Sequence, residues 1–448
     1  MSVYTEIFKA YDVRGKVGSE LNDETVKTIG QAFGNWLPEK GVVAVGRDMR
    51  PDSAQLASAI IEGLRASGRD VWDIGEVTSD MIYFVTGHYE LAGGAMITAS
   101  HNPGEYNGIK LCREGAKPVG EESGLFEIRD AAEAGKFPAA DTPGALTEKD
   151  VVEDWITHTL SFIDAAKLKP LHIAVDAGNG MAGKIFPELE PYVPFEVEEL
   201  YFELDGTFPN HIANPLEPKN LVDLQAAVKK NNCDAGVAFD GDGDRAVLVD
   251  EKGEPLTGTV MTAILAEYFL QLHPKATILH NAICGRAAIE AIKANGGTPV
   301  RTRVGHSFIK ADMRKHNAVF GGEHSGHYYF EDNFMADSGL IAAVIALFVL
   351  GKSGKKLSEL AAPFRKAYLQ IPETNFEVAD KRTTMKRVAA AFPEGKQDWL
   401  DGLTVNFDSK WFNVRPSNTE PLLRLNAEAT SQSDLDDIVQ KVTELIQQ

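Results

Sequence analysis

Apolar residues along this chain fall into two alternating patterns: short unbroken runs, and longer stretches in which they return every three or four positions. Residues 42–46, VVAVG, form a short run that predicts a buried strand. After RDMRP comes DSAQLASAIIEGLRASG, where Leu56, Ile60 and Leu64 recur every fourth residue, the spacing of one helix face. DVWDIG then predicts the next strand. The same unit returns in ILHNAICGRAAIEAIKANGGTPVRTRVGHS, which reads as strand, glycine-bearing turn, helix ending in Asn-Gly-Gly, and strand. LHIAVDAGNGMAG opens a third such unit. Repeated βαβ connections of this kind imply an α/β chain with mixed or parallel sheets. The longest apolar run, Leu340 to Leu350, is 11 residues, too short for a bilayer and suited to a buried helix.

Linker composition marks residues 136–148, 250–258 and 367–378, and three linkers imply four domains. The expected spans are 1–146, 147–254, 255–368 and 369–448. A length of 448 residues accommodates several cores at about 150 residues per domain. The hydrophobic share of 44% and charged share of 25% are those of a globular protein.

Charge narrows the class of partner. With 45 Lys+Arg against 65 Asp+Glu the net charge is −20, a field that repels nucleic acid and anionic membranes. If the substrate is itself an anion, the site must gather cations locally. Cys112, Cys233 and Cys284 have neither disulfide-framework nor zinc-type spacing, and MSVYTEIFKAYDVRG lacks a basic-plus-apolar leader, so a cytoplasmic location is expected.

The densest chemical signal is AGVAFDGDGDRAVLVDEKGE, in which Asp240, Asp242 and Asp244 alternate with glycines between two strand-like runs. Three carboxylates this close repel one another unless a cation neutralises them, which points to a magnesium-type site. A calcium EF-hand fits less well, because Arg245 stands where that loop needs glycine and the flanks read as strands. Arg245 also supplies a cation for a phosphate beside the metal. In MITASHNPGEYNGIK, Ser100 follows a strand and precedes His101, on a turn whose backbone N–H groups can cradle an anion. The nucleophile-elbow pattern of hydrolases is missing, so beside a metal loop a phosphoryl-carrying serine is the better reading than a hydrolase triad. Lys110 lies ten residues on, within reach of the same turn.

Two further loops complete the set. GGEHSGHYYF carries Glu323, His324, Ser325 and His327; a carboxylate with a hydroxyl suits vicinal sugar hydroxyls. His306, just past a strand end, stands where α/β ligand sites form. WFNVRPSNTEPLLRL packs Arg415, Ser417, Asn418 and Thr419 into one turn, a dense donor set for phosphate oxygens and the local positive site the overall charge demands.

TASHNP, DGDGDR, GEHSGH and RPSNTEP, in this order, resemble the phosphoserine, metal, sugar and phosphate loops of the α-D-phosphohexomutase superfamily, over essentially the whole chain. FKAYDVRG resembles its phosphomannomutase/phosphoglucomutase branch and adds Tyr11 and Arg14 to the site. The resemblance implies four domains around a central cleft, three related βαβ-type domains with mixed sheets plus a smaller α+β C-terminal domain. It further implies that Ser100 bears a phosphoryl group and, with Asp240, Asp242 and Asp244, holds Mg²⁺. His101, Lys110 and Arg245 would surround the transferring group; Glu323 and Ser325, with His306 nearby, would hold the sugar; Arg415, Ser417, Asn418 and Thr419 would grip the other phosphate. The implied reaction interconverts hexose 1-phosphate and hexose 6-phosphate, of mannose or glucose, through a bound hexose 1,6-bisphosphate, in a monomer or dimer that binds neither nucleic acid nor membrane. A phosphoglucosamine mutase or a metal-dependent sugar phosphatase is the alternative. Two positions depart from the family pattern: His324 inside the sugar loop, and Ile283 where some relatives carry lysine, with Arg286 close behind.

Overall fold

The computed structural model describes residues 2–38, 40–138, 140–417 and 422–448. The chain divides into two compact units, Met1–Leu256 with Ser325–Ser358 and Thr257–His324 with Glu359–Gln448.

The first unit holds two mixed sheets. One is built around parallel strands Val43–Arg47, Val71–Glu76 and Gly93–Ile97. Tyr106–Arg113 returns antiparallel beside Gly93–Ile97, and Val13–Lys16 pairs antiparallel with it at the edge. The expected helix runs from Ser53 to Ala66 and buries Leu56, Ile60 and Leu64 as the four-residue spacing requires. Leu146–Glu148, inside a stretch read as linker, is a strand parallel to Val71–Glu76. The Ala145 N–H donates to Asp70, which draws this polar segment onto the sheet edge.

The second sheet pairs Leu171–Asp176 in parallel with Phe195–Leu200 and Ala235–Phe239, and Ala235–Phe239 turns back antiparallel into Ala246–Asp250. All ten residues of these two strands are buried, as runs rich in Ala, Val, Leu and Phe should be. The apolar run at 340–350 lies in the helix Gly339–Ser353, buried almost throughout and capped by Ser338, whose Oγ accepts the Ile341 N–H at 3.1 Å.

The second unit contains parallel strands Thr277–Asn281, Thr298–Thr302 and Ala318–Gly322, with helices Arg286–Ala294 and His306–His316 between them. It also contains an antiparallel sheet of Lys396–Asp398, Leu403–Asn406, Lys410–Pro416 and Leu422–Ala429. Helices Lys381–Ala391 and Gln432–Gln447 contribute Val388, Ile438 and Val442 to a core shared with Leu403, Phe412 and Leu425. The segment read as a linker at 367–378 is in fact the edge of this sheet. Leu369–Gln370 and Thr374–Glu377 both pair with Leu422–Ala429, because Ile371 and Phe376 pack against that core despite Pro372. Among the described residues, no helix is long and apolar enough to cross a membrane.

Candidate active site

In the first unit, the turn after strand Gly93–Ile97 carries Ser100, and the hairpin tip between Ala235–Phe239 and Ala246–Asp250 carries the three aspartates. The two tips meet. Ser100 Oγ donates to Asp240 Oδ2 at 2.8 Å across 140 positions of chain, and both side chains are buried. A Cβ on Gly241 would stand 2.6 Å from the Ser100 carbonyl oxygen, so only glycine lets the backbones approach this closely. Ser100 itself has φ +50, a left-handed conformation that costs a non-glycine residue about 1–3 kcal/mol and persists only where surrounding contacts enforce it.

Two arginines, Arg50 buried and Arg14 half-buried, supply those contacts. Arg50 donates to the carbonyls of Ser100, Asn102, Pro103 and Tyr106 at 2.6–2.9 Å. Arg14 Nη1 donates to the Ala99 carbonyl and to Asn102 Oδ1, both at 2.8 Å, while Asp12 holds its other edge. Arg14 thus braces the turn that carries Ser100. Tyr11 sits half-buried just ahead of the strand that carries Arg14. Arg50 was not legible beforehand: in RDMRP it reads as a solvated turn residue, and only its burial beside Asp48 exposes its role.

The carboxylates are compensated by cations from the same unit. Lys110 Nζ lies 2.6 Å from both Asp242 Oδ2 and Asp244 Oδ2, and Arg245 Nε lies 2.9 Å from Asp240 Oδ2. Burial opposes the Lys110 charge, but Asp242 and Asp244 outweigh it and hold the ammonium well above its usual range. Burial pushes Asp240 up to about 7 against the pull of Arg245. Asp244 goes the other way, held well below the usual carboxylate range because Lys110 and His327 outweigh its burial. His327, whose Nε2 lies 3.5 Å from Asp244 Oδ1 and whose Nδ1 pairs with Ser325 Oγ at 3.0 Å, extends the cluster. Burial and the neighbouring Arg245 keep His101 neutral. Its Nδ1 accepts from Arg245 Nη2, while the Ser100 proton goes to Asp240, an arrangement unlike a Ser-His-Asp triad.

The loop suits a divalent cation. Oxygens of Asp240, Asp242 and Asp244 lie within 4.8 Å of one another. Asp242 Oδ1 is buried without a hydrogen-bond partner among the described residues, which is costly for a carboxylate unless a ligand completes it. An all-oxygen donor set fits a hard ion such as Mg²⁺. The flanks are strands rather than helices, which disposes of the EF-hand.

In the second unit, Glu323 is buried and accepts from Asn281 Nδ2 at 3.2 Å and from the Gly305 N–H at 3.1 Å. Gly305 immediately precedes His306, so Glu323 and His306 are neighbours through one peptide. Arg415, also buried, pairs with Glu373 at 2.9 Å, and Glu373 additionally accepts from Arg424 and Asn426. Ser417 is buried, its N–H donating to the Leu422 carbonyl. Asn418 and Thr419 lie outside the described residues. Arg286 points its guanidinium at the carbonyls of Phe407, Asp408 and Lys410, which fixes the antiparallel sheet.

Comparison with known proteins identifies the family. Residues 5–139, 153–253 and 257–368 match phosphoglucomutase/phosphomannomutase alpha/beta/alpha domains I, II and III, and residues 373–445 match the C-terminal domain. The fold is therefore α/β with four such domains, and the chain is an isomerase of the intramolecular phosphotransferase class. It belongs to the phosphoglucomutase/phosphomannomutase family. A protein of Xanthomonas campestris pv. campestris described as "phosphohexose mutases" is 41% identical over 430 residues, 96% of each chain. A phosphomannomutase of Salmonella montevideo is 40% identical over 449 residues, 98% of each. The crystal structure of a phosphoglucomutase/phosphomannomutase family protein from Burkholderia thailandensis superposes with a TM-score of 0.90 at 31% identity, covering 100% of this chain and 97% of the other.

Proposed function

We propose that the chain interconverts the 1- and 6-phosphates of mannose and glucose through a phosphorylated Ser100 and a bound hexose 1,6-bisphosphate. The observation that carries this reading is the 2.8 Å contact between Ser100 Oγ and the aspartate loop, with Lys110 and Arg245 in the same cluster. Phosphoryl transfer asks for positioning and charge neutralisation more than for a covalent triad, and that is what these groups offer.

In this reading the bond between Ser100 Oγ and phosphorus breaks as the free 1- or 6-hydroxyl of the sugar takes the phosphoryl group, and the proton that hydroxyl gives up is balanced by one taken up at Ser100 Oγ, which leaves as a hydroxyl. The bisphosphate turns around and returns its other phosphoryl to Ser100. Asp240, Asp242 and Asp244 would hold Mg²⁺, which neutralises charge on the phosphoryl oxygens when bound. Arg245 and Lys110 supply cations to the transferring group, and neutral His101 accepts from Arg245 and orients it. Glu323, Ser325 and His306 would bind the sugar hydroxyls, and Arg415 with Ser417, Asn418 and Thr419 the phosphate that stays. The four-domain spans 1–146, 147–254, 255–368 and 369–448 belong to the same proposal.

Phosphorus NMR with mannose 1-phosphate and glucose 1-phosphate, each in turn, tests it. Conversion to the 6-phosphates without net inorganic phosphate is expected, and Ser100→Ala should lose roughly 10³-fold or more of turnover. Stoichiometric phosphate release would instead mark a sugar phosphatase. Activity confined to glucosamine phosphates would mark the other alternative.

A further inference from the structure

We infer that Ser79 is a positioning residue for the metal loop: its hydroxyl occupies one oxygen of Asp242 and so leaves the other directed at a divalent cation. The inference rests on the reading of residues 240–244 as a metal loop. Ser79 is the first residue of the helix Ser79–His88, far in sequence from every motif of the site. It is buried, and it binds Asp242 twice: its Oγ donates to Asp242 Oδ2 at 2.5 Å and its N–H to the Asp242 carbonyl at 2.9 Å. Asp242 Oδ1, equally buried, has no hydrogen-bond partner among the described residues. The side chain is thereby pinned by one oxygen with the other left over, the arrangement by which outer hydrogen bonds orient a metal ligand.

Lys110 also donates to Asp242 Oδ2, and further to Ser79 Oγ at 3.2 Å. The two donors behave differently toward an incoming ion. A positive ammonium on a flexible stem is repelled by a divalent cation and competes with it for the same carboxylates. The Ser79 hydroxyl is neutral, so it keeps its hold on Asp242 when the ion arrives.

Ser79 is itself firmly placed. Asp80 accepts from Thr78 Oγ1 and, at 2.6 Å, from Ser338 Oγ, the residue that caps helix Gly339–Ser353. On the other side Thr78 abuts Gly243, which has φ +75 and where a Cβ would stand 2.6 Å from Thr78 Cγ2. Residues 78–80 therefore form a rigid backstop to the aspartate loop.

The test is calorimetric titration of the metal-free full chain with Mg²⁺, alongside its thermal melt. Ser79→Ala should weaken the Mg²⁺ dissociation constant about 10- to 100-fold. Ser79→Cys keeps the volume but replaces a strong donor by a weak one, and should weaken binding in the same direction. Lys110→Met should bind Mg²⁺ at least as tightly as the wild type, the opposite sign. Wild-type affinity in both Ser79 variants, with Mg²⁺ binding normal in the unaltered chain, would overturn the role of Ser79 alone. No Mg²⁺ binding by the unaltered chain would overturn the metal-loop reading beneath it.

Discussion

Ser100 Oγ sits 2.8 Å from Asp240 Oδ2 and donates to it, on a turn the chain holds at φ +50. That one contact ties a turn of one mixed sheet to the hairpin tip of another, and the backbones behind it are as close as glycine permits. Separating them should be costly for chemistry and cheap for folding.

Gly241→Ala tests this directly. The added methyl would meet the Ser100 carbonyl at 2.6 Å and force the loops apart. Turnover should fall about 10²-fold, since misplacement near 1 Å costs that much, while urea melts show a loss of only about 1–3 kcal/mol. An active Gly241→Ala enzyme would mean the loops need not touch.

Lys110 bridges Asp242 and Asp244. Lys110→Met removes the charge and leaves two buried carboxylates facing each other, so the metal-free protein should lose about 3–5 kcal/mol in denaturant melts. Added Mg²⁺ should then restore more stability to the variant than to the wild type, because the ion takes over a neutralisation that the lysine performed.

Arg415 is buried and its Nη2 meets Glu373 Oε2 at 2.9 Å. Lysine cannot reproduce a planar two-pronged donor, so Arg415→Lys should raise KM for hexose phosphates about tenfold or more, with a smaller change in kcat. Steady-state kinetics on both sugar phosphates would read the split.

Burial lowers the pKa of His280 from 6.5 to about 4, with Arg301 and Lys293 acting in the same direction against its hydrogen bond to the Asn281 carbonyl. The folded chain keeps this imidazole neutral where the unfolded chain takes up a proton. Stability should therefore fall as pH drops from about 6.5 to about 4 and gain nothing further below, a loss of about 3 kcal/mol at most. His280→Gln should flatten that part of the stability profile, as measured by urea melts at successive pH values.

Much of the fold was legible because period is a local property. Leu56, Ile60 and Leu64 are buried on one helix face, and the 340–350 run is a buried helix, since burial of apolar side chains decides both. The strand pairing of 369–377 was not legible. Pro372 and its polar neighbours carry linker chemistry, and what recruits them is the free edge of Leu422–Ala429, a partner about fifty positions away. The same holds in the site. Asp240, Asp242 and Asp244 announce themselves by mutual repulsion in a glycine-rich tip, whereas Ser79, Arg50 and His327 look like an ordinary helix start, a turn arginine and a loop histidine.

By itself, then, the sequence determined the elements, the family and the groups that carry charge, because periodicity, glycine spacing and clustered carboxylates are written within a few neighbouring residues. Only the tertiary structure decided which hydroxyl faces Asp240, which oxygen of Asp242 is left over, and which arginine staples the serine turn. Those are matters of distance between segments remote along the chain, and packing alone sets such distances.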